Sequence, residues 1–167
     1  NFKSEIGVLY LNDFNEKVMT KIIHEKGLEF IELFDCDTYV YLWNKHPLAE
    51  KAVISMAELD EYPCLSFDQG KNHSLYLAEE MKSTYEYKRL IKATDRATLL
   101  NFMKGLNAYT LCSGIICEEL NGSEYIAVPL AETEKMRIGY VRRKGAAISH
   151  IGEMYIEELK KYKDKIM

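Results

Sequence analysis

Residues 5–11, Glu-Ile-Gly-Val-Leu-Tyr-Leu, form an extended run that is apolar nearly throughout. A strand without a polar face must be covered on both sides, and helices on the two faces of a parallel sheet do that. The next residues change period. Asn12-Asp13-Phe14-Asn15-Glu16 opens a helix, with Asp13 and Glu16 at capping-box spacing. Val18, Met19, Ile22 and Ile23 make one apolar face, and Gly27 supplies the stop. A strand resumes at 29–34, so the chain opens as β–α–β.

The alternation continues along the chain. A strand is expected at 37–43, and Ser55 with Glu58 caps a short helix that ends near Tyr62-Pro63. Cys64-Leu65-Ser66-Phe67 is a short buried strand, followed by a polar turn and a helix over about 74–83. A strand at 88–93 leads to Thr94-Asp95, which caps a helix over 96–104 that Gly105 stops. Strands follow at 108–112, 124–129 and 136–143, with a short helix at 114–120. The last helix starts at Ser149 and runs to about Lys163, with Ile151, Tyr155, Leu159 and Tyr162 as its apolar stripe. Repeated β–α units predict an α/β fold with mostly parallel sheets. The strands at 37–43 and 136–143 are long and suit a chain leaving one lobe and returning to it. This divides the chain into a partial first lobe, 1–38 plus 138–167, and a second lobe, 39–137.

Composition removes several classes of function. The 26 acidic residues outnumber the 22 basic ones, giving −4, so the chain itself is not expected to grip a phosphate backbone. No apolar run reaches membrane-spanning length, and Asn1 to Glu5 lack the apolar core of an export signal. With no initiating Met, the chain reads as part of a longer protein. The four cysteines have no disulfide framework, which predicts free thiols in the cytoplasm. No Gly-x-Ser-x-Gly, His-Glu-x-x-His, glycine-rich phosphate loop or Cys-x-x-Cys is present, and Cys112 with Cys117 lacks a second pair to hold zinc. Neither catalysis nor a cofactor is expected.

The segment Tyr41-Leu42-Trp43-Asn44-Lys45-His46-Pro47-Leu48-Ala49 is followed by Ile54-Ser55-Met56-Ala57-Glu58-Leu59 and by Tyr62-Pro63-Cys64-Leu65-Ser66-Phe67. This order and spacing resembles the effector-binding domain of LysR-type transcriptional regulators. Glu5 to Val8, Ala93 to Leu106, and Arg137 to Lys144 with the final helix are similar to further elements of that family. The resemblance implies a two-lobed fold of the type II periplasmic-binding-protein kind, with a small molecule between the lobes. It also implies a homo-oligomeric regulator whose N-terminal helix-turn-helix binds DNA. That module and the opening elements of the first lobe are not in this sequence, so the first lobe reads as incomplete. Three positions depart from the family pattern: Asn107 in Gly-Leu-Gly, Cys112 at a common Pro, and Asp68-Gln69-Gly70-Lys71-Asn72 for Ser-Pro-Gly-Ser-Gly.

Ligands of open α/β sheets bind beyond the carboxyl ends of strands. That rule nominates Tyr10 and Asn12, then Ser66, Asp68, Gln69, Gly70, Asn72 and His73, then Thr94 and Asp95, and finally Thr110 and Ser113. Helix starts follow three of these segments, so an anionic organic acid or amino acid is the expected ligand class. Asp68 and Asp95 oppose an anion unless they cap helices or bind an amine. His24 is expected to face solvent and His46 to be structural. The Tyr39–Tyr41 side of its strand is expected to line a cleft or to pack under the first lobe. A solute-binding protein of a transport system is the alternative reading, and a small enzyme is a weaker third.

Overall fold

A computed structural model describes residues 4–68, 70, 76, 81–82, 84–116 and 121–165. Gln69, Asn72, His73, Cys117 and most of the expected helices at 74–83 and 114–120 lie outside the described residues. The strands are β1 (Ile6–Leu11), β2 (Leu28–Cys36), β3 (Tyr39–Trp43), β4 (Cys64–Phe67), β5 (Leu90–Ala93), β6 (Thr110–Cys112), β7 (Tyr125–Pro129) and β8 (Met136–Arg143). The helices are α1 (Glu16–Glu25), α2 (Met56–Leu59), α3 (Arg96–Leu106) and α4 (His150–Lys160), the last running into a 3-10 turn over Lys161–Lys165. The chain divides into two compact units: 1–36 with 135–167, and 37–134.

In unit 1 the strand order is β1-β8-β2, and β8 runs antiparallel to both neighbours. Tyr140 of β8 lies opposite Val8 on one side and Ile31 on the other. Gly139 lets the Phe30 ring close over the strand, since a Cβ there would collide with that ring and with the Ile31 carbonyl oxygen. Helix α1 buries Met19 and Ile23. Its start is locked by Asn12 and Asn15, each backbone N–H donating to the other's side-chain oxygen at 2.9 Å. This replaces the expected Asp13–Glu16 box, because the Asn12 amide already reaches Asn15 and Glu16 pairs instead with Arg137 of β8.

Helix α4 begins where expected, with the Ser149 hydroxyl accepting from the Gly152 N–H at 3.1 Å and donating to Glu5 at 2.7 Å. Its buried face is not the expected stripe. Gly152 and Ile156 are buried, whereas Ile151 is 80% exposed and Tyr155 49% exposed. Gly152 decides this, because only a residue without Cβ can come so close to Ile148 and Ile6. A glycine adds nothing to a hydrophobic pattern, so the pattern chose the wrong face.

In unit 2, β4 and β5 pair in parallel, with Cys64 opposite Leu90 and Phe67 opposite Ala93. A parallel bridge from Cys64 to Tyr109 joins this pair to the strand that continues as β6, through Leu65 N–H to Tyr109 O at 2.7 Å. Next to β6 comes β3, then β7, both pairings antiparallel. Four of these five strands therefore run one way, with β3 against them. The expectation of mostly parallel sheets thus holds for strand direction in unit 2 and needs correction for pairing: among the described residues four of the five ladders are antiparallel. The reason is shared by both units, since a returning strand inserts between two strands that would otherwise be parallel neighbours.

One face of the unit 2 sheet packs Tyr41, Leu65 and Ala93 against Leu99 and Met103 of α3. The other carries Val40 with its cross-strand neighbours Leu111 and Val128, all buried. Helix α3 passes Gly105 and ends on Asn107, which takes the left-handed conformation at φ 49°. Asn is the usual second choice after Gly there, and here its side chain also accepts from Trp43 Nε1 at 3.1 Å. The Asn107 carbonyl takes the Nε2–H of buried His46 at 2.9 Å, while His46 Nδ1 accepts from Leu48 N–H at 3.0 Å. His46 is therefore structural, tying the His46-Pro47-Leu48 turn to the end of α3. The Ser55–Glu58 capping box forms, and Lys51 beside Glu58 helps hold that carboxyl down at about 2.

Candidate functional site

Parallel register aligns three strand ends in unit 2. Phe67 lies beside Ala93, and the bridge at Cys64–Tyr109 carries the same register across to Cys112. Asp68, Thr94 and Ser113 are the next residues and emerge along one edge of the sheet. The Asp68 N–H donates to the Ala93 carbonyl at 2.9 Å, which fixes the first two ends against each other. Asp68 Oδ1 accepts from Gly70 N–H at 3.0 Å, closing a tight turn in which Gly70 has φ +77°. Ser66 is half-buried, one residue before that end.

Thr94 and Asp95 are exposed at the end of β5. The Asp95 carboxylate accepts from Thr98 N–H at 2.8 Å and from the Thr98 hydroxyl at 2.7 Å, and these bonds hold its pKa below the usual carboxylate value. It caps α3, so a negative charge already occupies the positive end of that helix. The start of α3 thus does not attract an anion by its dipole. The neighbouring Arg96 brings a positive charge to this region.

The other nominated residues separate. Thr110 sits opposite Tyr41 on β3, so it faces the α3 side, below the edge rather than on it. Ser113 is half-buried just past β6. Tyr10 and Asn12 belong to unit 1. The Tyr10 carbonyl accepts from Asn15 Nδ2 at 3.2 Å, and Asn12 is buried in the lock that starts α1. Asn12 is therefore a structural residue of the β1–α1 turn.

Behind the edge, in the layer between sheet and α3, lies a cavity of about 210 Å³. Tyr41, Phe67, Arg96, Leu99, Met103, Thr110, Cys112, Ile116 and Asn121 are among its lining. Burial pushes the Cys112 thiol up to about 11, so it is a neutral, unreactive group at pH 7. Of these, sequence reasoning nominated Thr110 as a ligand contact and offered the Tyr39–Tyr41 side as a cleft lining. The Tyr39–Tyr41 side of β3 packs within unit 2 with both residues buried, and Tyr41 lines this cavity. Alternation along β3 marked Tyr41, but no local signal marks Arg96 or Asn121. Among the described residues no group of three or more His, Cys, Asp or Glu side chains could hold a metal ion, and no helix is long and apolar enough to cross a membrane.

Returning strands within open α/β sheets, with loops gathered at the strand ends, make a mixed α/β fold of the type II periplasmic-binding kind. Residues 17–163 match the LysR substrate binding domain family, and the chain belongs to that family. Among solved structures it is similar to the effector binding domain of QuiR in complex with shikimate, at 14% identity and TM-score 0.61, covering 99% of this chain and 75% of that one. It is also similar to the reduced form of OxyR, at 21% identity and TM-score 0.60, covering 97% and 72%. A third likeness is HinK, a LysR family regulator from Pseudomonas aeruginosa, at 15% identity and TM-score 0.61, covering 95% of this chain and 53% of that one. No curated relative matches the chain. The chain is a ligand-sensing regulatory domain of a LysR-type transcription regulator.

Proposed function

We propose that the aligned strand ends of unit 2 hold the effector, a small metabolite, through Ser66, Asp68, Gly70, Thr94 and Ser113. The observation that carries this reading is the register: Asp68, Thr94 and Ser113 follow three neighbouring strand ends. Backbone donors and hydroxyls gathered at such an edge suit a carboxylate or another polar head. Asp68 and Asp95 accept hydrogen bonds from their own loops, which offsets part of their repulsion for an anion, and Arg96 supplies a nearby positive charge. The domain works in the cytoplasm as part of a homo-oligomeric regulator. Effector binding favours one conformation of the domain, and that preference passes to an N-terminal helix-turn-helix outside this sequence.

Thermal melting against a panel of amino acids, dicarboxylates and aromatic acids tests this. A native-state ligand at 100 times its Kd adds about 2.7 kcal/mol, enough to move the transition by several degrees. Thr94→Val and Ser113→Ala should each weaken that rise. Cooperative melting that no member of the panel moves would contradict the reading.

A further inference from the structure

We propose that unit 2 carries a second, self-contained ligand pocket between its sheet and α3, shaped for a ring-sized apolar molecule that bears a carboxylate and a hydrogen-bond donor. This goes beyond the effector reading, because of the strand-end residues nominated from sequence the pocket uses only Thr110. The cavity measures about 210 Å³ and is walled by side chains such as Phe67, Leu99 and Ile116. An apolar cavity of about 150 Å³ is large enough to take up benzene, so this one has room for a ring and its substituents.

Two of the side chains that line this cavity carry a buried polar atom without a partner. The Tyr41 hydroxyl and Asn121 Oδ1 are buried and make no hydrogen bond, although Tyr41 is only 7% exposed. Leaving a buried polar group unpaired costs about 1–3 kcal/mol, so two such groups on side chains beside one cavity point to an occupant that reaches them. Their chemistry says what kind. Burial pushes the Tyr41 phenol up to about 12, so at neutral pH it is a donor and requires an acceptor. Asn121 Oδ1 is an acceptor and requires a donor. Arg96 lines the same cavity and forms no ion pair among the described residues. A carboxylate answers Arg96 and Tyr41 together, and a hydroxyl elsewhere on the ligand answers Asn121.

Calorimetric titration of the 167-residue chain with 4-hydroxybenzoate, benzoate and phenol tests this. 4-Hydroxybenzoate should bind best, with benzoate weaker by on the order of tenfold for the loss of one buried hydrogen bond, and phenol weaker for the loss of its carboxylate. Tyr41→Phe should lower 4-hydroxybenzoate affinity by a similar factor while leaving the melting temperature of the unliganded protein unchanged or raised, because it deletes an unpaired hydroxyl. Arg96→Gln should erase the preference over phenol, and Asn121→Leu the preference over benzoate. Thr94→Val and Ser113→Ala should leave all three affinities unchanged, which separates this pocket from the strand-end site. The proposal is overturned if none of the three compounds binds the folded chain, if Tyr41→Phe binds like the parent, or if Thr94→Val abolishes binding that Tyr41→Phe spares.

Discussion

The two sheets follow one plan and differ at one edge. In each, a returning strand, β8 or β3, lies between two strands that run against it. Beyond β6 the unit 2 sheet continues into β4 and β5, whereas β1 has β8 as its single strand partner among the described residues. Burial follows coverage. Among the described residues, the large apolar side chains less than 2% exposed are Val40, Leu42, Ile54, Leu59, Leu65, Met103 and Tyr109 in unit 2 and Met136 in unit 1. Val8 in the middle of β1 is 47% exposed. The same strand motif therefore makes a two-sided core only where more strands and a helix extend it, and the layered cavity exists where that extension has occurred.

The contrast has measurable consequences. Leu65→Ala in β4 should cost about 2–5 kcal/mol, the range for truncating a fully buried leucine, while Val8→Ala in β1 should stay within about 0.5 kcal/mol, as for a surface change. Urea unfolding of both variants measures this, and equal losses would remove the distinction between the two sheets. Next in size is Gly139→Ala, at about 1–3 kcal/mol for overpacking, because the new methyl meets the Phe30 ring and a carbonyl. Gly7→Ala on the neighbouring strand should cost much less, since its nearest obstacle is the Val141 Cγ2 methyl at 3.1 Å.

Ser149→Ala should cost about 1 kcal/mol through the lost cap of α4, and Glu5→Gln should weaken the same corner less. The smallest effect is one of pH. Burial holds the His46 imidazole below its usual pKa, so as pH falls the unfolded chain takes the proton first. Stability from this site should be full above about pH 6.5 and decline below it. His46→Gln should flatten that part of the profile in unit 2, measured as melting temperature against pH.

Much of the architecture could be read from residues alone. The apolar run at 5–11, the Ser55–Glu58 box, the Asp95 cap and the Ser149 start all appear as β1, α2, α3 and α4. These are local signals, set by side chains that act within a turn of their own backbone. Features set by distant partners were not legible. The buried face of α4 depends on Gly152 coming close to Ile6 of β1. The end of α3 depends on Asn107, which Trp43 and His46 both reach from more than 60 residues away in sequence. The strand-end rule brought Asp68, Thr94 and Ser113 to one edge but also nominated Asn12, whose amide is engaged in a turn. It passed over Tyr41, Arg96 and Asn121, which only the packing of α3 on the sheet brings together.

The decisive measurement is an amide chemical-shift map of the isotopically labelled chain titrated with 4-hydroxybenzoate. If ligand recognition resides in the covered sheet of unit 2, the perturbed amides will cluster at Phe67, at Arg96 to Leu100 and at Thr110 to Ile116, and those of β1, β8 and β2 will stay still. Perturbations centred on β1, β8 and β2, or none at saturating concentration, would contradict that assignment.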